Sequence, residues 1–569
     1  MVLSIPSLTN RWAATDAVLR RDAWGIGLIA AFHLATLVLM AWSEVAIVPK
    51  AIFLLTWGIL NFFWIALLRR PAVSAALSLV MIVVLILLSQ LKYDIISMTA
   101  NFFDVWIIDK AFVRYLLMVI PGLTKALVIA AALTVPVLGL LWWLDRFRVR
   151  LRIAAIGLVA CLAGIAALSL AFPQEDWEAF FGDSYVSKFS RSGVAVISAL
   201  MTQRYMETDP VVSDRLKMLP GASCAPIRKP PHIILVHDES SFDIRVAPGI
   251  KVPASYGPHF QSFDGRERHF VAEGAGGPNW YTEYNVLSGL SARSFGRFAY
   301  FVTRIAAGRV ERGLPRALRQ CGYRTFSIYP ALGAFMSAKS FQTTTGVQKF
   351  FDQNSLGTDR VEPDRFYYDA ARRIIEHERG GGPMFLYVYL AQNHYPWDFR
   401  WRPDLMTEWT PLGNSPEIDE YLRRQTMSFR DYAELLDHLK RDFPDEPFLL
   451  VRYGDHQPNF AITIIEPSLD VTAIAKRLMT YDPRYFTTYY AIDAVHFKPN
   501  NLTSALDTIE GPYLPLVVLE AAGLPLDPSF AEQKKILKRC KGLFYTCAGG
   551  AEARRFNRLL IDAGLIRGL

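Results

Sequence analysis

Five long apolar stretches in the first third of the chain constrain its fold more than any other feature. Each is almost free of charge and close to the roughly 20 residues that a helix needs to cross a bilayer. No comparable stretch follows residue 175. The sequence therefore predicts a membrane domain of five helices followed by a soluble domain. The predicted spans are residues 24–42, 51–68, 71–90, 126–144 and 153–172.

The first stretch could instead be a cleaved signal peptide. It is long for that purpose, and no small-residue cleavage site precedes Ser43 and Glu44. These two observations favour a membrane span.

Arginine placement orients the predicted spans. Arginines precede the first span, separate the second from the third, and separate the fourth from the fifth; these segments share one side if all five helices cross. The positive-inside rule makes that side cytoplasmic. We therefore predict a bacterial inner (plasma) membrane protein with a cytoplasmic N-terminus and residues 173–569 in the periplasm or outside the cell. The arginines are Arg11, Arg20, Arg21, Arg69, Arg70, Arg146, Arg148, Arg150 and Arg152.

The outer segment at residues 91–125 mixes aromatic and aliphatic side chains with a few charges. Phe102, Phe103 and Trp106 lie close together there. This pattern is typical of an amphipathic segment that lies in the membrane interface. Packing beneath the soluble domain is the alternative.

Cysteine placement agrees with an exported soluble domain. Cys161 lies in the fifth predicted span, and the other four cysteines lie beyond it. In an oxidising compartment four cysteines suggest two disulfides. Cys540 and Cys547 bracket a short loop and form the first predicted pair, which leaves Cys224 with Cys321. Spacing alone does not fix this connectivity.

The second half of the chain reads as an α/β domain. We predict domains at residues 1–174 (membrane), 175–228 (helical linker) and 229–569 (catalytic). In the last of these, short apolar strands alternate with amphipathic helices, which predicts a sheet covered by helices on both faces. The predicted strands are His232–Val236, Thr325–Tyr329, Met384–Leu390 and Phe448–Tyr453; the predicted helices are Pro315–Cys321 and Phe366–Arg379.

Polar residues follow the predicted strands. The last strand runs into Gly454, Asp455 and His456, and the first runs toward Glu239. Open α/β sheets bind ligands at the carboxyl ends of their strands. A carboxylate beside an imidazole is a metal-ligand pair or a general acid/base pair. We therefore predict a divalent cation held by Glu239, Asp455 and His456, although Glu239 could instead pair with an arginine.

A glycine-rich loop at residues 274–285 leads into a helix that we predict to begin near Thr282. A hydroxyl at a helix N-terminus lies in a positive field that favours an alkoxide or a phosphate. A cation at the predicted site would bind and activate the Thr282 hydroxyl as a nucleophile. The plainer alternative is that Thr282 only caps the helix. His394, which follows the third predicted strand, could likewise cap or line the core.

These residues resemble the alkaline phosphatase superfamily in its membrane-anchored, sulfatase-like branch of phosphoglycerol and phosphoethanolamine transferases. Lipoteichoic acid synthases, periplasmic glucan phosphoglycerol transferases and lipid A phosphoethanolamine transferases belong to that branch. The likeness spans essentially the whole chain: five spans, a helical linker and an extracytoplasmic domain. The matching motifs are Glu239-Ser240, Thr282 before Leu287-Ser288-Gly289, Asn393-His394-Tyr395-Pro396, and Gly454-Asp455-His456.

The resemblance implies a reaction. Thr282 would attack a membrane phospholipid, by preference phosphatidylglycerol, and release diacylglycerol. His394 would then position a hydroxyl of an exported glycan or lipid, which takes the phosphoglycerol from the phosphothreonine intermediate. Glu239, Thr282, Asp455 and His456 would hold one metal ion, Mn or Zn, because mixed oxygen and nitrogen ligation suits both. No nucleic-acid partner is expected. Asp238 stands where the family has a small or apolar residue, so either carboxylate, Asp238 or the favoured Glu239, is a candidate ligand.

Several alternatives remain within and beyond the enzyme class. The Gly-Asp-His-Gln sequence resembles the phosphoglycerol-transferring side, yet transfer of phosphoethanolamine to a lipopolysaccharide component is the second candidate. Cys224 heads a C-x-P-x-R sequence like that of sulfatases, although it precedes the first strand whereas the sulfatase nucleophile follows it. Phosphodiester hydrolysis is also open. A receptor or transporter subunit is the non-enzymatic alternative, disfavoured because the predicted spans contain no acidic residue.

Overall fold

The computed structural model describes residues 8–106, 110–120, 122–174, 176–202, 205–216, 224 and 229–568. The chain divides into two compact units. One unit comprises Met1–Trp106 and Pro121–Thr202, and the other comprises Ile107–Ile120 and Gln203–Leu569. The second unit thus takes a short segment from between two helices of the first.

The first unit is helical, and the prediction of five apolar N-terminal helices is confirmed. Five helices in the described part of the chain are long and apolar enough to cross a membrane: Ala23–Ser43, Ile47–Leu68, Pro71–Ile96, Leu123–Leu144 and Leu151–Ala171. The third exceeds its predicted end by several residues. A further helix lies inside the stretch predicted as a linker. The helices of this unit are α1 (Leu8–Ser43), α2 (Ile47–Leu68), α3 (Pro71–Ile96), α5 (Leu123–Leu144), α6 (Leu151–Ala171) and α7 (Tyr185–Thr202).

Small residues let two of the apolar helices approach closely. A Cβ atom at Gly58 of α2 would lie 2.6 Å from the Cys161 sulfur of α6, and one at Gly157 of α6 would lie 2.5 Å from the ring of Phe62. Because lipid is as apolar as these side chains, such close packing is what associates helices in a bilayer.

The second unit is an α/β domain that contains an eight-stranded mixed sheet. Its strand order is β4-β3-β5-β1-β6-β7-β2-β8. Strands β4, β3, β5, β1 and β6 run parallel, β7 pairs antiparallel with both β6 and β2, and β2 pairs parallel with β8. The strands are β1 (His232–Asp238), β2 (His269–Val271), β3 (Arg324–Ile328), β4 (Lys349–Phe351), β5 (Met384–Tyr389), β6 (Phe448–Gly454), β7 (Thr487–Val495) and β8 (Thr508–Glu510).

Helices surround the sheet. The predicted helices at residues 315–321 and 366–379 are confirmed as α10 and α13. The helices of this unit are α4 (Lys110–Val119), α8 (Asn279–Ser288), α9 (Val302–Ala306), α10 (Leu314–Gln320), α11 (Ala338–Thr345), α12 (Gln353–Leu356), α13 (Asp364–Glu378), α14 (Pro416–Asp442), α15 (Ala461–Ile464), α16 (Val471–Met479), α17 (Leu514–Ala521), α18 (Pro528–Cys540) and α19 (Ala551–Asp562).

The central strands are buried along their whole length. Every residue of β1, β5 and β6 is buried, as expected for parallel strands with both faces covered. One face packs on α13 and α14, where Tyr367, Ala371 and Leu439 join the strand side chains in a single core cluster. A rigid core of this kind fixes the carboxyl ends of β1, β5 and β6, which carry the polar residues described below.

Two disulfides stabilise the second unit. They join Cys224 to Cys321 and Cys540 to Cys547, the pairs named from the sequence. Cys161 is the free cysteine of the described residues.

Candidate metal centre and active site

Strand register brings two acidic residues together. Parallel pairing places Asp238 of β1 opposite Gly454 of β6. The next residues, Glu239 and Asp455, therefore leave the sheet side by side. Both are buried, with 2% and 0% of their surfaces exposed. The carboxyl ends of two neighbouring strands thus carry two carboxylates out of contact with water.

Gly454 is required by this arrangement. A Cβ atom at that position would overlap with the backbone carbonyl oxygen of Ser241. The loop after β1 therefore crosses the end of β6 at backbone distance, which a side chain would prevent. This close approach is the physical reason for a glycine directly before Asp455.

Asp455 is held by a set of hydrogen bonds. Its Oδ1 accepts from the backbone N–H groups of Ser240 and His456, each at 2.7 Å. Its Oδ2 lies 3.0 Å from the Nε2 atom of His237. Burial raises the pKa of Asp455, but His456, His237 and the Ser240 N–H outweigh burial and hold the pKa below its usual value. The residue is therefore an anion fixed in one orientation.

His456 presents an unused nitrogen to both carboxylates. Its Nδ1 lies 2.8 Å from the carbonyl oxygen of Gln457. Because a carbonyl can only accept, Nδ1 carries the proton and Nε2 offers a lone pair. The Nε2 atom is buried and has no hydrogen-bond partner. It lies 3.6 Å from Glu239 Oε1 and 3.4 Å from Asp455 Oδ2.

A divalent cation fits these residues. A buried polar atom normally has a partner, and buried charges need pairing or a metal. Among the described residues, the ion-pair partners of Glu239 and Asp455 are histidines, and neither lysine nor arginine contacts them in an ion pair. Two carboxylates and one imidazole nitrogen that converge form a donor set typical of zinc or manganese.

His237, which sequence reasoning missed as a functional residue, lies beneath Asp455. It is fully buried within β1 and stacks on Tyr389 at a ring distance of 3.7 Å. Its Nδ1 lies 2.8 Å from the hydroxyl groups of both Tyr387 and Tyr453. The nitrogen and oxygen atoms of His237, Glu239 and Asp455 also lie close enough to hold a metal ion. However, both nitrogens of His237 already have partners, whereas Nε2 of His456 has none, so His456 fits the ligand role better.

Asn279 is a second residue that sequence reasoning did not assign. Its Nδ2 donates to Glu239 Oε2 at 3.0 Å, while the Ser240 hydroxyl donates to Oε1 at 2.8 Å. These two bonds fix the plane of the Glu239 carboxylate. The sequence placed Asn279 in the loop ahead of the predicted helix, and neither its position in α8 nor its partner was predicted.

Thr282 lies in the first turn of α8 rather than at its cap. The helix begins at Asn279, three residues earlier than predicted, because Pro278 directly precedes it and takes the cap position. Thr282 is fully buried, and its hydroxyl donates to the backbone carbonyl oxygen of Asp455 at 2.6 Å. The N-cap alternative for Thr282 is therefore wrong, and the hydroxyl contacts the metal-site loop itself.

His394 lies on the loop after β5, and α14 holds this loop in place. The Arg424 guanidinium donates to the carbonyl oxygens of His394 and Pro396, at 2.9 and 2.8 Å, and forms an ion pair with Glu420. The Nδ1 atom of His394 lies 2.7 Å from the Tyr395 carbonyl oxygen. The backbone around His394 is thus fixed by a buried cation.

Asp238 points away from the metal-site residues. Its carboxylate accepts a hydrogen bond from the Tyr489 hydroxyl and lies 3.9 Å from His259. Burial raises the pKa of Asp238 to about 6, although Tyr489, Ser241 and Arg452 act against that rise. Of the two acidic neighbours, it is therefore Glu239 that the fold brings to His456.

A pocket lies beside the polar residues. Glu239, Asn279 and His394 are among the residues that line it. The remaining lining residues are mostly apolar: Met118, Tyr329, Pro330, Ala331, Phe335, Val361, Tyr389 and Ala391.

Cys224 does not fit the role of a sulfatase nucleophile. It is bonded to Cys321, so its sulfur is not available for conversion to formylglycine. It also precedes β1, on the far side of that strand in sequence from Glu239.

The sulfatase family model matches residues 281–466, a segment that includes Thr282, His394, Asp455 and His456. A search of curated protein sequences returned no significant match. Solved structures of similar fold include a phosphoglycerol transferase, GacH, from Streptococcus pyogenes in complex with sn-glycerol-1-phosphate, at 15% identity and a TM-score of 0.47, covering 60% of this chain and 88% of that one.

Two further solved structures are also similar to this chain. The lipoteichoic acid synthase LtaP from Listeria monocytogenes has 17% identity, a TM-score of 0.39, and coverage of 52% of this chain and 72% of that one. The integral membrane lipooligosaccharide phosphoethanolamine transferase A from Neisseria meningitidis has 12% identity, a TM-score of 0.44, and coverage of 83% and 95%. Behind five apolar helices, this chain carries an α/β domain in which residues 281–466 match the sulfatase family model, in agreement with the sulfatase-like resemblance seen in the sequence.

Proposed function

We propose that this protein transfers phosphoglycerol from a membrane phospholipid, phosphatidylglycerol, to a hydroxyl of an exported glycan or lipid. The single observation that carries the proposal is the buried, unpartnered Nε2 of His456, which faces Glu239 and Asp455. The Thr282 hydroxyl contacts the backbone of the same Asp455. A metal-ligand set beside a buried hydroxyl is the arrangement that activates an oxygen nucleophile.

The proposed reaction has two steps. A cation held by Glu239, Asp455 and His456 would supply positive charge that favours ionisation of the Thr282 hydroxyl and binding of the phosphoryl oxygens. In the first step the Thr282 Oγ1–P bond forms and the bond from phosphorus to the diacylglycerol oxygen breaks. The proton lost by Thr282 ends on the diacylglycerol hydroxyl. In the second step the acceptor oxygen bonds to phosphorus, the Thr282 Oγ1–P bond breaks, and the acceptor proton returns to Thr282.

Other residues bind and orient in this scheme. Glu239, Asp455 and His456 would hold the cation with Thr282, and Asn279 and His237 fix the two carboxylates. The first turn of α8 contains Thr282, so its backbone dipole would favour the negative charge of a phosphothreonine there. His394 would position the acceptor hydroxyl, since it lines the same pocket as Glu239.

The identities of the transferred head group and of the lipid donor are inferred from the sequence. The Gly454-Asp455-His456-Gln457 sequence resembles the phosphoglycerol-transferring side of the superfamily, so phosphoglycerol is preferred to phosphoethanolamine. The predicted spans support a lipid donor because they anchor the chain in the bilayer and so raise the effective concentration of lipid for the domain attached to them.

The orientation also stays a proposal. The arginine pattern supports a cytoplasmic N-terminus and an exported catalytic domain, and two disulfides in that domain agree with an oxidising compartment. A reporter enzyme fused after residue 569 and active only outside the cytoplasm would support this topology; a reporter active only in the cytoplasm would contradict it.

The test uses purified full-length protein, head-group-labelled phosphatidylglycerol or phosphatidylethanolamine, and added Mn or Zn. We expect diacylglycerol release from phosphatidylglycerol and a phosphoglycerol adduct on the peptide that contains Thr282, measured by mass spectrometry. Thr282→Ala should abolish both. Thr303 provides a matched control, since it too is fully buried and donates its hydroxyl to a backbone carbonyl, that of Met336. Normal diacylglycerol release by Thr282→Ala would refute the nucleophile, and an ethanolamine-phosphate adduct would refute the head group.

A further inference from the structure

A buried ion cluster on α14 holds the loop that contains His394. The cluster comprises Glu420, Arg423 and Arg424, which are 8%, 1% and 2% exposed. Because it contains two cations and one anion, and buried charges need partners, backbone carbonyl oxygens must supply the rest. Those carbonyl oxygens belong to His394, Pro396, Phe399, Trp401 and Leu405. The backbone of residues 394–405 is therefore fixed, although this loop contains neither helix nor strand.

The aromatic side chains of this loop differ in their burial. Trp397 is 2% exposed and belongs to a core cluster, against which Tyr395 packs. Phe399, in contrast, is 38% exposed. Among the described side chains of the α/β domain, only Phe263 and Phe399 are exposed aromatic rings of phenylalanine, tyrosine or tryptophan. A loop with a fixed backbone thus presents one of these two rings to solvent.

The rings of Phe399 and Trp401 lie beside one guanidinium group. The guanidinium carbon of Arg424 is 5.4 Å from the ring centre of Phe399 and 5.7 Å from that of Trp401. The same guanidinium donates to the carbonyl oxygen of His394 at 2.9 Å. Both rings and the His394 backbone therefore surround a single buried cation, which fixes the exposed ring close to His394.

Charged residues flank the exposed ring in sequence. Asp398 and Arg400 are both exposed; a carboxylate accepts hydrogen bonds from hydroxyl groups, and a guanidinium donates to them. A ligand that covers Phe399 therefore needs an apolar face and a polar edge. A pyranose ring has this form, because its C–H bonds pack on an aromatic face while its hydroxyl groups project from the rim. An acyl chain has no polar edge and would place these two charges against hydrocarbon.

We infer that Phe399 is a specificity-determining residue that stacks on a sugar ring of the acceptor, so that the acceptor is an exported glycan rather than a lipid. This inference rests on the proposed function for the existence of an acceptor step. Within that function His394 positions the hydroxyl that reacts, and Phe399 binds a sugar of the same glycan. Arg424 sets the spacing between the two residues, because its guanidinium binds the backbone of both.

The test measures binding by saturation-transfer NMR, with irradiation of the aromatic protons of the full chain in amphipol and without donor lipid. The probes are β-linked hexasaccharides of glucose, galactose and N-acetylglucosamine, with dihexanoylglycerol as the lipid probe. We expect saturation of sugar C–H protons in at least one hexasaccharide. Its dissociation constant should rise about 10-fold in Phe399→Leu, since leucine retains apolar volume but has no flat face. Phe399→Trp should bind at least as tightly as the parent.

Phe263 provides the matched control, because it is the other exposed ring, at 45%, and lies on the loop before β2. Phe263→Leu should bind the hexasaccharide as the parent does, and both leucine variants should melt at the temperature of the parent. Four results would overturn the inference: no hexasaccharide bound by the parent, an unchanged dissociation constant in Phe399→Leu, an equal rise in Phe263→Leu, or binding of dihexanoylglycerol that depends on Phe399. Because donor lipid is absent, failure of the proposed transfer reaction would appear separately, as absence of diacylglycerol release by the unmodified protein.

Discussion

His237 provides the sharpest test of the metal site, because its function follows from geometry alone. His237→Phe keeps an aromatic ring stacked on Tyr389 but removes both ring nitrogens. The hydroxyls of Tyr387 and Tyr453 lie 3.0 Å apart and can still bond to each other. The principal loss is thus the hydrogen bond from His237 Nε2 to Asp455 Oδ2.

The expected magnitude follows from that bond. A hydrogen bond to a charged group contributes about 1.5–3 kcal/mol, and loss of a residue that orients a metal ligand typically costs about 10- to 100-fold in metal affinity. The two ranges agree, since 1.4 kcal/mol corresponds to about a factor of ten. We therefore expect His237→Phe to weaken Zn or Mn binding by about 10- to 100-fold.

The assay is a metal titration of the full-length protein in detergent, with the free ion set by a chelator buffer, and a melting temperature recorded in parallel. His232→Phe is the matched control, because His232 lies at the other end of β1, buried and bonded to the Met384 N–H and to Glu446. Both variants should melt at lower temperature, and only His237→Phe should lose metal affinity. Equal losses of affinity in the two variants, or an affinity for His237→Phe within about two-fold of the parent, would refute the reasoning.

Three further predictions concern the glycine, a buried acid and a disulfide. Gly454→Ala should displace Asp455 and abolish stoichiometric metal binding, measured by elemental analysis, because its Cβ atom would overlap with backbone; full metal occupancy would contradict this. Burial raises the pKa of Glu273 from 4.5 to about 6, so the fold favours its neutral form, and its contribution to stability should fall by about 1.3 kcal/mol between pH 4.5 and 6. Glu273→Gln should reduce the fall in melting temperature over that range, and an unchanged fall would contradict the assignment. Replacing Cys224 and Cys321 by serine opens a loop of 97 residues and should lower the free energy of unfolding by about 4.7 kcal/mol. Removing the Cys540–Cys547 disulfide, with a sequence separation of 7, should lower it by only about 2.5 kcal/mol. Denaturant unfolding in detergent would measure both losses, and a larger loss for the shorter loop would contradict the entropic account.

The parts of the fold that could be predicted are those where apolar runs end sharply. Strands β1, β3, β5 and β6 are short apolar runs bounded by polar or proline residues, and their positions were predictable within one or two residues. Strand β7 was missed, partly because Asp493 interrupts it. In the structure Asp493 pairs with Arg452 of the neighbouring strand at 3.2 Å, so a charge that argues against a buried strand is neutralised by a partner far away in sequence.

The candidate site also contains residues that the sequence predicts and residues that it does not. Glu239, Asp455 and His456 were predictable because ligand side chains follow strands directly. His237 was not assigned although it directly follows the predicted strand His232–Val236, because its partners Tyr387 and Tyr453 come from β5 and β6. Likewise, the hydrogen bond from Arg424 to the His394 carbonyl oxygen depends on how α14 packs, which the local sequence does not reveal.

Strand geometry determines which of the adjacent residues Asp238 and Glu239 lies near His456. Successive side chains of a strand point to opposite faces, so Asp238 turns to Tyr489 on one face of the sheet. At the next residue the strand has ended, and Ser240 adopts a left-handed conformation with φ of 51°. This turn lets the Ser240 N–H donate to Asp455 and the Ser240 hydroxyl donate to Glu239. A one-residue shift of β1 against β6 would exchange the two acids, so the register of seven paired residues, His232 with Phe448 through Asp238 with Gly454, determines which carboxylate faces His456.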